Sequence, residues 1–552
     1  MKSKKNRLKR WIGLPLVGLM LAMILAACGD NTAAPASGTG ATTGTGTGAQ
    51  AGANNGAPVD LNVWLDPASS ESGPPPADWV GYKTIKDKLN INLKFTMTPV
   101  GPDGTTKLNA LAASNSLPDL FQLSVNNRVL LYQFVNQGLL APVDSLLPMM
   151  PNRTAARYSD ENLKKLDTVN GKLYGLQDTA KPGLFKRYGV FIRQDWLDKL
   201  GLKAPSTLQE YMDVAKAFTE KDPDGNGKND TYGFGVFYDG GAGLGGEMDP
   251  FMGAFGLPGA WDFSNPSDLT ATYTNPDYRK GVEYIASLQQ AHVIDPDWPT
   301  MKSDDFRSRW KQGKYGIVVE DFCALSCGSN YSAFDKTNPD GAWTPIAPPK
   351  GPDGKSAVGT FTAGSGTNLV VSKKAQDSGK FPAIAKFLEW AQSDEGYYLL
   401  GFGVKGVNYN QDASGNFTKD GITADDAWDS KKSQQILQLK WLAYRGEDKE
   451  LLARYGPYKT IKGRDMNPAG VYYKFTNSSP YVDATAASII PPAANQADIN
   501  RYVSENLIQF ALGQKPINDA NWKSFVEGLS GLGFTDYVNQ SKQILKTAGF
   551  LK

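Results

Sequence analysis

This sequence predicts an α/β fold, on three observations. Short apolar or alternating runs of strand character recur along the chain, and amphipathic segments with a helical period stand between them. In addition, 41% of the residues are hydrophobic, enough for a large core. The strand-like runs are residues 61–65, 91–97, 120–123, 173–176, 188–193, 232–238, 315–319 and 368–371. The helical segments include 208–220, 278–290, 381–392 and 433–444. No internal repeat links them, and after residue 27 no apolar run reaches the ~20 residues that a membrane span requires.

Ahead of the first strand stands an address. Residues 1–10 carry six basic side chains and no acid, 11–27 are uncharged and mostly apolar, and the run closes on Leu25, Ala26, Ala27 and Cys28. A basic start, a short apolar centre and small residues before a cleavage point predict a secretory signal peptide over 1–27. Leu-Ala-Ala-Cys followed by Gly29 resembles the bacterial lipobox. This implies lipid modification of Cys28 and an extracytoplasmic protein anchored to the cell membrane. Residues 28–58 then form the lipidated cysteine and a linker built almost wholly of Ala, Gly, Thr, Ser and Asn, too poor in bulky side chains to fold. A coil of ~30 such residues spans roughly 30 Å, which keeps the folded part within reach of partners on the membrane.

Charge and histidine content exclude several functions. The chain has 58 basic and 56 acidic residues, and removal of the signal takes six of the basics, leaving an excess of four acids. Nucleic acid is therefore not an expected partner, because phosphate binding relies on clustered Lys and Arg. His292 is the sole histidine, which excludes His-based zinc sites. Its place in Gln290-Ala291-His292-Val293 is the C-terminal end of a helix, where an imidazole meets the helix dipole favourably. Residues 241–246 satisfy G-x-G-x-x-G, yet Asp249-Pro250 marks the helix start, so the glycines read as a loop. Residues 351–356 end like a phosphate loop but are two residues short between the glycines, and Pro352-Asp353-Gly354 reads as a turn. Cys323 and Cys327 suit a local disulfide better than two thiols in an oxidising compartment.

The sharpest motif is Asp222-Pro-Asp224-Gly-Asn226-Gly227-Lys228-Asn-Asp230. Side-chain oxygens fall at loop positions 1, 3, 5 and 9, Gly227 occupies position 6, and Lys228 offers its carbonyl at position 7, the first part of an EF-hand wrapping Ca²⁺. Position 12, the bidentate acid of that loop, is Gly233.

Around this loop, residues 191–202, 204–208 and 216–218 form a continuous block that resembles the family-one extracellular solute-binding proteins. The likeness is to their large lipoprotein branch, similar to alginate-binding proteins, which captures oligosaccharides for ABC importers. Asn170-Gly171-Lys172-Leu173-Tyr174-Gly175, Gly313-Lys314-Tyr315-Gly316-Ile317, Phe387-Leu388-Glu389-Trp390 and Gly403-Val404-Lys405-Gly406 match in order, and so the resemblance spans nearly the whole mature chain. It implies a two-lobed periplasmic-binding-protein-like fold of type II with an interlobe ligand cleft. The lobes are expected at 59–182 plus 364–405 and at 183–363 plus 406–552, the latter holding the calcium loop 222–230. Hinge crossings are expected near 178–187, 359–366 and 401–408. The resemblance also implies a structural calcium, weakened by Thr231 where relatives hold an acid.

Sugars need carboxylates and amides for their hydroxyls and aromatic rings for their C–H faces. By position relative to the family pattern, the ligand set is Asp66, Gln122, Asp178, Trp261, Glu320, Asp321, Phe322 and Tyr409. The expected function is capture of an oligosaccharide by a monomeric, non-enzymatic receptor and its delivery to the transmembrane subunits of an ABC permease. The alternatives are another solute such as a peptide, or a secreted glycosidase.

Overall fold

In the computed structural model, which describes residues 56–66, 73–98, 102–124, 128–158, 161–177, 186–238, 240–241, 243–362 and 367–552, the chain folds around a five-stranded and a four-stranded sheet. The signal peptide, Cys28 and nearly all of the linker lie outside the described residues, as does Asp178. The strands of the two sheets are β1 (Val59–Leu65), β2 (Ile91–Met97), β3 (Leu120–Ser124), β4 (Gly175–Gln177), β5 (Tyr188–Arg193), β6 (Tyr232–Gly235), β7 (Tyr315–Asp321), β8 (Trp343–Ile346) and β9 (Thr367–Val371).

The first sheet has the order β2-β1-β3-β9-β4. β1 runs parallel to β2 and β3, and β9 lies antiparallel between β3 and β4. Side chains alternate across a strand, and β1 uses that period to feed two layers of core. Leu61, Val63 and Leu65 join Leu93, Phe95 and Leu369 against helix Phe381–Gln392, whereas Trp64 points the other way to Leu108, Phe121 and Phe134. Each such side chain contributes roughly 1.5–3 kcal/mol by leaving water.

The second sheet has the order β8-β5-β7-β6. β7 is its apolar centre, antiparallel to β5 and parallel to β6. Helix Leu208–Glu220 starts on a capping box, with Thr207 accepting from Glu210 N–H and the Glu210 carboxylate returning the bond. It packs so closely on β7 that a Cβ on Gly316 would stand 2.1 Å from the Phe218 ring. Helices Pro276–Gln290, Gln496–Ala511 and Asp519–Gly531 complete this core through Ile285, Val503, Phe510 and Phe525. His292 ends the helix that precedes it in a left-handed conformation, φ +55°, its N–H bonded to Gln289 O at 3.0 Å. Cys323 and Cys327 are joined, with Cα atoms 4.6 Å apart. Gly354 N–H closes the expected turn on Gly351 O at 3.0 Å. Among the described residues no helix is long and apolar enough to cross a membrane.

Phe402 stacks on Phe417 at 3.6 Å, and Tyr409, Trp428, Leu439, Leu442 and Ala443 all share the core of the first sheet. Residues 402–443 thus pack on the first sheet, where their rings complete its core, and Leu451 lies in a cluster with Phe191 and Val318 of the second sheet. A separate apolar cluster joins the lobes: Leu163 and Leu166 from the first meet Leu269, Ile489, Leu545 and Leu551 from the second.

Candidate ligand cleft and calcium loop

Each sheet gathers polar side chains at one end of its strands. In the first sheet the C-terminal ends of β1, β2 and β3 lie together with the start of β9, where Thr367 pairs with Ser124 and Asn368 with Gln177. In the second, Asp321 at the end of β7 pairs with Tyr188 at the start of β5, and β8 ends beside them. The chain passes from Gln177 to Tyr188 and from Ile346 to Thr367, so both crossings connect these two edges.

On the first edge, Asp66 N–H donates to Gln122 Oε1 at 3.0 Å, and Trp64 Nε1–H donates to Asp66 Oδ1 at 2.8 Å. Both predicted residues are thus brought together, and both are buried. Beside them Asp167 accepts from Asn368 Nδ2 at 2.7 Å and from Gln177 Nε2. On the second edge Glu320, 2% exposed, takes a two-point bond from Arg307 at 2.9 and 3.1 Å. Asp321 pairs with Arg187 at 3.0 Å and caps helix Phe322–Ser326 by accepting from Cys323 N–H at 2.8 Å.

Three further predicted ligand residues pack against other rings. Phe322 is fully buried between Tyr455 and Tyr472, with ring centroids 5.0 and 5.2 Å away, so it packs rather than faces a gap. Tyr409 is enclosed by Tyr398, Phe402 and Phe417 in the first core. Trp261 lies against Tyr537 at 5.7 Å in the interlobe apolar cluster, remote in topology from the strand ends. Beside that cluster runs a groove of about 890 Å³, lined by Tyr132, Lys164 and Asn170 on one side and Ile489, Gln543 and Ile544 on the other; it touches none of the strand-end residues.

Sequence reasoning missed the groups that brace the third crossing. Arg153 and Arg157, both buried on helix Pro151–Arg157, donate to the carbonyls of Leu442 at 2.7 Å and Tyr444 at 3.1 Å. From the other side Arg454 donates to Gly401 O and holds Glu450, each at 3.0 Å. Two arginines one helical turn apart are the signal that could have been read, but their spacing alone resembles an ordinary solvated face.

The loop at 222–230 is folded as a turn around its own oxygens. Asp222 accepts from the N–H groups of Asn226 and Gly227, both at 3.0 Å, and Gly225 and Gly227 take φ of +73° and +76° that only glycine adopts easily. Asn226 Nδ2 reaches Asp224 at 2.7 Å and Asp230 at 3.0 Å, so the side chains at positions 1, 3, 5 and 9 converge. The Asp222 carboxyl is held below its ordinary range by a hydrogen bond shared with Asp224, while desolvation, then that same bond, raises Asp224. A divalent cation would relieve that crowding, so the donor set fits one. Against it, Lys314 already pairs with Asp230, and Thr231 spends its hydroxyl on Phe218 O at 2.8 Å. Among the described residues no group of three or more His, Cys, Asp or Glu side chains is arranged to hold a metal.

Two sheets linked by several passages of the chain, each with polar side chains at its strand ends, are the architecture of a two-lobed binding protein. Residues 86–398 match the family described as bacterial extracellular solute-binding protein, and the chain belongs to it; this is a family of binding proteins, not of enzymes. The polygalacturonan/rhamnogalacturonan-binding protein YtcQ of Bacillus subtilis is 29% identical over 356 residues, 62% of this chain and 66% of YtcQ, just under two thirds of that protein's length. Lipoprotein LipO of the same organism is 28% identical over 403 residues, 73% of each chain. The structure of the Streptococcus pneumoniae ABC-transporter substrate binding protein FusA in complex with kestose superposes with a TM-score of 0.61 at 18% identity, covering 88% of this chain and 99% of FusA. At that identity the likeness is one of fold. A further FusA structure carries an EF-hand mutation.

Proposed function

We propose that this protein is a lipid-anchored receptor that captures an oligosaccharide between its lobes, unaltered, and presents it to the membrane subunits of an ABC importer. The observation that carries this reading is that each sheet gathers polar side chains at its strand ends, Asp66 and Gln122 on the first and Glu320, Asp321, Arg187 and Arg307 on the second. Carboxylates, amides and guanidinium groups of this kind suit sugar hydroxyls. YtcQ and FusA, by their names and ligands, support a saccharide over a peptide. Cys28, followed by a linker without bulky side chains, supports anchoring, as does the likeness to LipO. We place the lobes at 59–177 plus 367–443 and at 186–346 plus 448–552, closing as a monomer about the crossings between them.

Closure on a ligand requires that the ligand favour the closed state. Small-angle scattering of the mature protein with and without an oligosaccharide panel should show compaction with at least one member, together with a raised melting temperature, since ligand at 100 times its Kd adds ~2.7 kcal/mol. No response to any saccharide, with a response to peptides, overturns the sugar reading. Cys28→Ala should release the protein from membranes; unchanged fractionation would overturn the anchor.

The same reading assigns a structural Ca²⁺ to Asp222, Asp224, Asn226, Asp230 and the Lys228 carbonyl. The ion would supply positive charge to carboxylates that otherwise crowd one another, fixing the turn between helix Leu208–Glu220 and β6. Chelation should lower the melting temperature, and Asp224→Ala should abolish that response. A melt indifferent to calcium and chelator alike leaves a polar turn only.

A further inference from the structure

We propose that Tyr188, braced by Tyr481 and Phe361, is the ring on which the captured ligand stacks, at the place where two passages of the chain between the sheets meet. This rests on the receptor reading above and supplies the aromatic part of that site, which Trp261, Phe322 and Tyr409 do not.

Tyr188 opens β5 and is 47% exposed, the one exposed aromatic side chain among the described residues. The sheet sets its direction. β5 and β7 are antiparallel, and Tyr188 pairs with Asp321. Directly paired residues put their side chains on the same face of a sheet, with Cβ atoms about 4.5–5.5 Å apart, so the Tyr188 ring stands beside the Asp321 carboxylate. The next residue turns to the other face. A Cβ on Gly189 would stand 2.1 Å from the Phe475 ring, and helix Pro468–Ser478 closes that face. Tyr188 therefore points away from the packed side.

Two further rings hold the strand start in place. The Tyr481 hydroxyl donates to the carbonyl oxygen of Tyr188, and the Tyr481 ring meets Phe361 edge to face with centroids 6.3 Å apart. Phe361 belongs to the passage from Ile346 to Thr367 and is fixed there by a short parallel ladder, Thr360 with Val482 and Phe361 with Asp483. Lys186, from the passage that ends at Tyr188, lies 4.5 Å from the centroid of Phe361 and 5.7 Å from that of Tyr481. Residues 186–188 and 360–361 are thus drawn to one place. Between Lys186 and Tyr188, Arg187 pairs with Asp321 at 3.0 Å.

The three rings are not equivalent. Lys186 attracts the faces of Phe361 and Tyr481 and rests over both, whereas neither a second ring nor a cation lies over Tyr188 among the described residues. Tyr188 is the open platform. A closed sugar ring offers an apolar C–H face to such a platform and hydroxyls at its edge, where the Asp321 carboxylate accepts and the Arg187 guanidinium donates. An extended peptide offers the polar groups without the flat face.

The test uses the mature protein with kestose, trigalacturonate and xylotriose, read by calorimetry, together with nitration of tyrosines by tetranitromethane mapped by peptide mass. Tyr188 should nitrate most readily in the free protein, and a bound trisaccharide should protect it. Tyr188→Ala should weaken binding at least about tenfold, and Tyr188→Phe, which keeps the ring, should hold affinity within about twofold. Tyr188→Leu, which keeps bulk without a flat face, should behave like the Ala variant and serves if that variant folds poorly. Melting temperatures without ligand should stay near the parent's, because the side chain is exposed. Tyr481→Phe loses only the bond to the Tyr188 carbonyl and should weaken binding less than Tyr188→Ala does; the reverse order would overturn Tyr188 as the stacking ring. Parent-like affinity in both the Ala and Leu variants, or nitration of Tyr188 unchanged by bound saccharide, would overturn the platform and leave the receptor reading intact. Failure of every saccharide to bind the parent would overturn both.

Discussion

Arg153, 2% exposed, donates from Nη1 to the carbonyl oxygen of Leu442 at 2.7 Å, and so ties a helix of the first lobe to the stretch of chain about to cross to the second. Its Nη2 also reaches Gln177 O, at 3.5 Å, where the first crossing begins. One guanidinium therefore holds the roots of two crossings. Arg153→Leu strands buried carbonyls, and a stranded buried acceptor costs about 1–3 kcal/mol. Urea unfolding should show that loss. Arg153→Lys should not restore it, because an ammonium lacks the planar fork that reaches two carbonyls. Full stability of either variant would show that the crossings do not depend on this bond.

Asp249 predicts a pH response. Desolvation raises its carboxyl to about 7 although Gly259 N–H, at 3.2 Å, pulls the other way. In the unfolded chain it titrates near 3.9. The folded protein thus holds the proton more tightly, so the contribution of Asp249 is fully present below about pH 4 and is lost as pH rises through about 7. Asp249→Asn should flatten the stability profile between those limits and raise the melting temperature at pH 8 relative to the parent. A parallel profile for both proteins would contradict the assignment.

Lys314 competes with the proposed calcium. Its pairing with Asp230, the largest cause of that carboxyl's lowered pKa, occupies an oxygen the ion would use. Lys314→Met should strengthen calcium binding several-fold, read by titration with a fluorescent chelator. Weaker or unchanged binding would place Asp230 outside the shell.

The apolar cluster between the lobes should set their resting distance. Leu166 and Leu551 are buried there, on opposite lobes. Core Leu→Ala changes cost about 2–5 kcal/mol, and here part of that loss falls on the contact between lobes. The Leu166→Ala/Leu551→Ala double variant should have a larger radius of gyration without ligand. An unchanged radius would assign the cluster to the stability of one lobe alone.

Much of the architecture was legible because local pattern and tertiary burial agreed. Residues 91–97, 188–193, 208–220 and 381–392 take the expected elements to the residue, since their alternation or helical period faces a real core. In residues 401–408, which the resemblance marks as a crossing, Gly403 and Gly406 take φ of +85° and +80° in a turn beside the core of the first sheet. Rings distant in sequence, Phe402 and Phe417, decide where the chain stays. The site was harder. Asp66 and Gln122 follow strand ends, whereas Trp261, Phe322 and Tyr409 follow only from position in the family pattern, and a ring's sequence position does not say whether it stacks on a sugar or on another ring. Arg307 depends on pairing with Glu320 on another element, which no local spacing encodes.

β9 lies between β3 and β4, so the first sheet cannot be completed until Thr367–Val371 has been synthesised, long after the strands it joins. Contacts of such long separation are entropically late and form slowly. While the ribosome works through the second lobe, the early strands wait with open edges. Until then the unpaired edge of β3 is open to pairing with other chains, a hazard the finished sheet removes.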